Sequence, residues 1–151
     1  MNIRSIIAAL AISSMAVPAA AQDKPIELTS AIQLVSQSDG GEKLVDPASI
    51  VPGDVLEFQT NYSNRTGATI SDFTVVSPVP QHVTLTPASA ASLEVSVDGG
   101  TVWGPLASLT ITAEDQTSRP ATAEDVTHLR WVVAQMAPKA EGVVSYRATV
   151  K

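Results

Sequence analysis

The chain has 151 residues, with 9 Lys and Arg against 15 Asp and Glu, a formal net charge of −6 and no cysteine. An acidic chain without a basic patch repels phosphate backbones, so nucleic acid is not an expected partner. The missing cysteines exclude disulfides, thiolate metal sites, a cysteine nucleophile and a lipidated N-terminal cysteine.

Residues 1–21 have the order of a secretory signal peptide. Arg4 supplies the positive charge, residues 5–15 form a short apolar run, and Ala19-Ala20-Ala21 offers a small-residue cleavage site. Cleavage before Gln22 leaves 151 − 21 = 130 residues and, without Arg4, a charge of 8 − 15 = −7. The expected location is therefore periplasmic or extracellular. No later apolar stretch reaches membrane-spanning length, so no membrane span is expected in the mature chain. A length of this order suits one domain with its own packed core.

Beyond Gln22 the apolar period is two. Ile26-Glu27-Leu28 and Ile32-Gln33-Leu34 predict a first strand. Leu56, Phe58, Thr60 and Tyr62 alternate with Glu57, Gln59 and Asn61 in a second. Leu93, Val95 and Val97 follow, then Leu129, Trp131 and Val133, and finally Val144, Tyr146, Ala148 and Val150. Leu129 and Val133 share a face with Trp131, which predicts a core position for that ring. No window of helical length carries an apolar stripe.

Turn residues punctuate these runs at Ser38-Asp39-Gly40-Gly41, Val51-Pro52-Gly53-Asp54, Asn64-Arg65-Thr66-Gly67, Asp98-Gly99-Gly100 and Pro138-Lys139-Ala140-Glu141-Gly142. Pro78, Pro80 and Pro87 fall where strands should end. Around Asp98, a three-residue loop ending in Gly100 is expected, pairing Val95 with Trp103. Residues 113–123 are polar and aperiodic and predict a surface loop. Short, regularly spaced strands predict a sandwich or barrel.

Val51-Pro52-Gly53-Asp54-Val55-Leu56, leading into Tyr62 and Asn64, resembles the start of the bacterial conserved-repeat domain, a family labelled domain of unknown function 11. Val75-Val76-Ser77-Pro78-Val79-Pro80, Ser96-Val97-Asp98-Gly99-Gly100 and Gly142-Val143-Val144-Ser145-Tyr146 fit the same pattern. The resemblance spans about residues 31–151. It implies an all-β, immunoglobulin-like antiparallel β-sandwich over residues 22–151, of a kind found in exported and cell-surface bacterial proteins, with no catalytic residues to carry over.

The residues themselves offer little chemistry. His82 and His128 are the only histidines, and no Gly-x-Ser-x-Gly elbow is present. Glu114-Asp115 and Glu124-Asp125 are the densest acidic pairs, yet neither has the alternating spacing of a calcium loop. Asn61-Tyr62-Ser63 and Asn64-Arg65-Thr66 match the glycosylation triplet, an accidental match in the bacterial protein that the resemblance implies. Trp103 is either core or an exposed binding anchor. The expectation is no catalytic residues, no cofactor and no metal site. The function expected is a non-enzymatic envelope or surface module, with an envelope or surface protein as partner. The alternative is a small periplasmic ligand- or metal-binding domain. The contact surface expected is the first strand, residues 26–35, as a sheet edge with few charges to block pairing, unless Glu27 and a covering loop guard it.

Overall fold

A computed structural model describes residues 25–151; the signal-peptide reading of residues 1–21 lies outside them. Eleven strands and one short helix follow in order: β1 (Ile26–Ser38), β2 (Gly41–Val45), β3 (Val55–Asn64), β4 (Ile70–Pro78), β5 (Val83–Leu85), α1 (Pro87–Ser92), β6 (Glu94–Ser96), β7 (Gly104–Pro105), β8 (Thr110–Thr112), β9 (Ser118–Pro120), β10 (His128–Met136) and β11 (Glu141–Val150). The fold is all-β. A five-stranded antiparallel sheet, ordered β2-β1-β3-β11-β5, packs as a sandwich against a four-stranded sheet, ordered β4-β10-β6-β7. A small β8–β9 ribbon stands beside them.

The period-2 pattern fixes the inward faces. In β3 and β11, Leu56 lies opposite Ala148 and Phe58 opposite Tyr146, whose rings stack at 4.7 Å. Tyr146 reaches the other sheet, 6.3 Å from the ring of Trp131 in β10. Around this bridge Val83, Leu85, Val95, Leu109, Val126, Leu129 and Ala148 are buried. Apolar burial of this kind is the main driving force available to a chain without disulfides. The hydroxyl of Tyr146 donates to the Pro78 carbonyl at 3.4 Å, and burial pushes its pKa up.

Asn64, at the end of β3, is fully buried and holds two turns together. Its amide donates to the carbonyls of Ala68 (2.7 Å), Ala137 (3.0 Å) and Met136 (3.3 Å). Its Oδ1 accepts from the amide and hydroxyl of Thr66. Every polar atom of this side chain is used, which is why a buried amide is tolerated here.

The structure corrects the sequence at three places. Val95 pairs with Gly104, not with Trp103, so the Asp98 loop is one residue wider than expected. The cause is the Asp98 carboxylate, which accepts from Ser96 Oγ and from the amides of Thr101 and Val102 and so builds a larger loop around itself. Gly99 and Gly100 both take left-handed dihedrals within it (φ +79° and +95°). Residues 113–123 are not simply a loop, because Ser118–Pro120 forms β9 against β8. Pro87 does not only end a strand. It opens α1, where its missing N–H costs nothing and Thr86 caps the Ser89 amide.

Candidate functional site

Of the candidates for chemistry, Glu124, Asp125 and His128 border one depression of about 360 Å³, and several carry structural bonds. His128 opens β10, with Nδ1 3.1 Å from Thr127 Oγ1. The Thr127 hydroxyl donates to the Ser96 carbonyl at 3.1 Å and already accepts from Gly99 N. The shared hydrogen bond with this hydroxyl anchors the His128 ring. His82 is exposed, and its carbonyl accepts from the Lys151 amide.

In each acidic pair the aspartate is a turn or cap group. Asp125 receives a two-pronged contact from Arg119 at 2.6 and 2.7 Å, and also accepts from the amide and hydroxyl of Thr122. Arg119 and this cap hold its carboxyl far below the usual carboxylate range. Asp115 accepts from the hydroxyl and amide of Thr117, which lowers its pKa in the same way. Among the described residues no three His, Asp or Glu side chains gather as a metal-ligand group.

Trp103 is half-buried rather than presented at a hairpin tip. Its Nε1 donates to Gly100 O at 2.8 Å, and the Arg130 guanidinium lies 4.9 Å over its ring. Glu94 in turn accepts from Arg130 at 2.7 Å, so the stack is pinned from both sides. Asn64 of the second glycosylation triplet is buried and fully bonded.

What remains open is strand β1. Leu28, Ser30, Ile32 and Leu34 pair with Tyr62, Thr60, Phe58 and Leu56, so they share the inward face of the five-stranded sheet. The facing sheet leaves Leu28 and Ile32 uncovered. Its outermost strand is β4, where Phe73 meets Tyr62 at 6.1 Å. The Tyr62 ring lies over Gly142, where a Cβ would sit 2.3 Å from the ring, and closes that side of the interior. Beyond this boundary Leu28 stays 52% and Ile32 46% exposed.

The backbone of the same segment is also open. The β2 strand covers only part of β1, from Leu34 opposite Val45 to Ser38 opposite Gly41. Residues 26–33 pair with β3 on one side and, among the described residues, with no strand on the other. Alternate N–H and C=O groups of these residues therefore point outward without a ladder partner. The expected edge over residues 26–35 is thus confined to residues 26–33, because β2 takes the remainder. Glu27, the one charge in the open stretch, is engaged by Arg65 on the outward face. A shallow depression of about 390 Å³ on that face is bordered by Glu27, Thr29, Asn61, Arg65, Glu141 and Val143.

The sequence indicated the strand and its low charge, but not that Leu28 and Ile32 would be uncovered. No helix among the described residues is long and apolar enough to cross a membrane. Compared with known proteins, the chain matches no family model, no curated protein and no solved structure.

Proposed function

We propose that this protein is an exported, non-enzymatic module of the cell envelope or surface, an immunoglobulin-like sandwich that works by contact through β1. The observation that carries this reading is the open segment of residues 26–33, where unpaired backbone groups and exposed Leu28 and Ile32 coincide. Strand addition uses both features: main-chain hydrogen bonds give affinity and alternate side chains give selectivity. The export-type order of residues 1–21 supports an extracytoplasmic location. The non-enzymatic part draws on the engagement of His128, Asp125 and Asp115 in turns and caps.

The test is fractionation with N-terminal sequencing, followed by photo-crosslinking in cells from residue 32 and, as a control, from residue 132. Val132 is 61% exposed but lies on β10 in the other sheet. The expected result is an N-terminus at or near Gln22 and crosslinks to protein from position 32 only. Intact Met1 on a cytoplasmic protein, or equal crosslinking from both positions, would overturn the reading. Hydrolytic activity lost on His82→Ala or His128→Ala would overturn its non-enzymatic part.

A further inference from the structure

We propose that the occupant of the open β1 edge is a second copy of this chain, paired antiparallel about a twofold axis at Ser30. This rests on the reading of β1 as the contact surface. The segment is self-complementary in an antiparallel register. About Ser30, the inward face reads Leu28-Ser30-Ile32 and the outward face reads Glu27-Thr29-Ala31-Gln33. An antiparallel copy centred there sets Leu28 opposite Ile32, Ser30 opposite Ser30, Thr29 opposite Ala31 and Glu27 opposite Gln33. Aliphatic meets aliphatic, and a carboxylate meets an amide that can donate to it. No like charges face each other, as an isologous contact requires.

The fold supplies the end stop. Val45 of β2 sits opposite Leu34, so a partner strand can occupy the edge only up to Gln33. Sliding the copies further together runs each into the other's β2, and sliding them apart to a centre at Thr29 sets Leu28 opposite Ser30 and leaves Glu27 opposite Ala31. The end stop allows two seven-residue registers, and the one centred on Ser30, spanning residues 27–33 in each copy, is the one that sets Leu28 on Ile32 and Glu27 on Gln33. The usual protections of an edge are missing: these seven positions contain no Lys, no Pro and no break in the ladder to β3. Pairing would join the two five-stranded sheets and bring Leu28 and Ile32 of both copies together on the inward face.

A ladder of about 24 Å with a few aliphatic contacts is small for a specific interface, so the dimer should be weak, with Kd on the order of 100 μM. Each mature copy carries −7, by the subtraction of Arg4 from the composition above. Mutual repulsion then makes the dimer tighter at about 200 mM salt than at about 20 mM.

The native chain has no cysteine, so single introduced thiols report position cleanly. Protein from the extracytoplasmic fraction would be tested by sedimentation equilibrium from about 10 μM to about 1 mM, a range bracketing the Kd expected above. Oxidative crosslinking of Ser30→Cys, Leu28→Cys, Ile32→Cys and the control Val132→Cys would follow, each confirmed folded by circular dichroism. The expected result is concentration-dependent dimer, a disulfide-linked Ser30→Cys dimer, and a linked product from the mixture of Leu28→Cys with Ile32→Cys. Neither of those two variants should link to itself. A monomer at all concentrations, or Ser30→Cys linking no better than Val132→Cys, would overturn the proposal. A monomer that still gives residue-32 crosslinks to another protein in cells overturns the dimer and leaves the contact reading standing.

Discussion

Strands β10 and β1 are written in the same alternating pattern and meet opposite fates. In β10, Leu129 is completely buried between β4 and β6, with Val95 and Ser77 opposite it. In β1, Leu28 and Ile32 point toward the same interlayer space, yet about half of each remains in water. The difference is neighbourhood and not local sequence. Leu129 has strands on both sides and the other sheet across from it, whereas Leu28, among the described residues, has one strand beside it and stays about half exposed. Alternation specifies a strand and its faces; coverage is decided by how far the other sheet extends.

Substitution at matched positions should expose this contrast most strongly. Leu129→Ala removes a fully buried side chain and should cost about 2–5 kcal/mol, read as a fall in the urea midpoint. Leu28→Ala should cost well under about 1 kcal/mol, since much of that side chain is in water already. Equal losses would mean that β1 is covered and that the two halves are not different.

Asn64 belongs to the closed half although it is polar. Asn64→Ala should cost about 1–3 kcal/mol, because the carbonyls of Ala68, Ala137 and Met136 lose a donor and the buried amide's place is left empty. Thermal unfolding of this variant beside Asn61→Ala, whose side chain is exposed on the same strand, sharpens the point. A midpoint for Asn64→Ala that matches Asn61→Ala would contradict the bonding role.

A smaller effect is expected at Asp125, whose carboxyl is held below its ordinary range by Arg119 and by the Thr122 cap. A depressed folded pKa means that the carboxylate adds stability above its unfolded value of about 3.9. That contribution is lost as pH falls from there through the folded pKa. The wild type should therefore exceed Asp125→Asn in stability at neutral pH, and the gap should close in acid. A gap that widens below about pH 4 would reverse the assignment.

The same contrast explains what could be read in advance. Leu56, Phe58, Leu129, Trp131, Tyr146 and Ala148 announce their strands and faces because each lies in an unbroken alternation with β-favouring neighbours. The turns at Gly41, Gly53, Gly99 and Gly100 are equally visible, since each of these glycines takes a left-handed φ. Strands β2, β5, β7 and β9 have five residues or fewer, too short for a period to stand out from noise. The Asp98 loop width depends on side-chain bonds to Thr101 and Val102, which no pattern of hydrophobicity encodes. The open edge was legible as a strand poor in charge. Its exposed Leu28 and Ile32 were not, because exposure there depends on where β4 stops.

Amide hydrogen exchange at low and high protein concentration separates a contact role for β1 from a stability role for the β10–β11 half. Strong protection is expected in β10 and β11 at both concentrations. Alternate amides of residues 26–33 should exchange fast in dilute solution and slow markedly near 1 mM, about tenfold above the Kd expected for strand pairing. Protection of residues 26–33 equal to that of β10 in dilute solution, or rates there that ignore concentration, would contradict that division of roles.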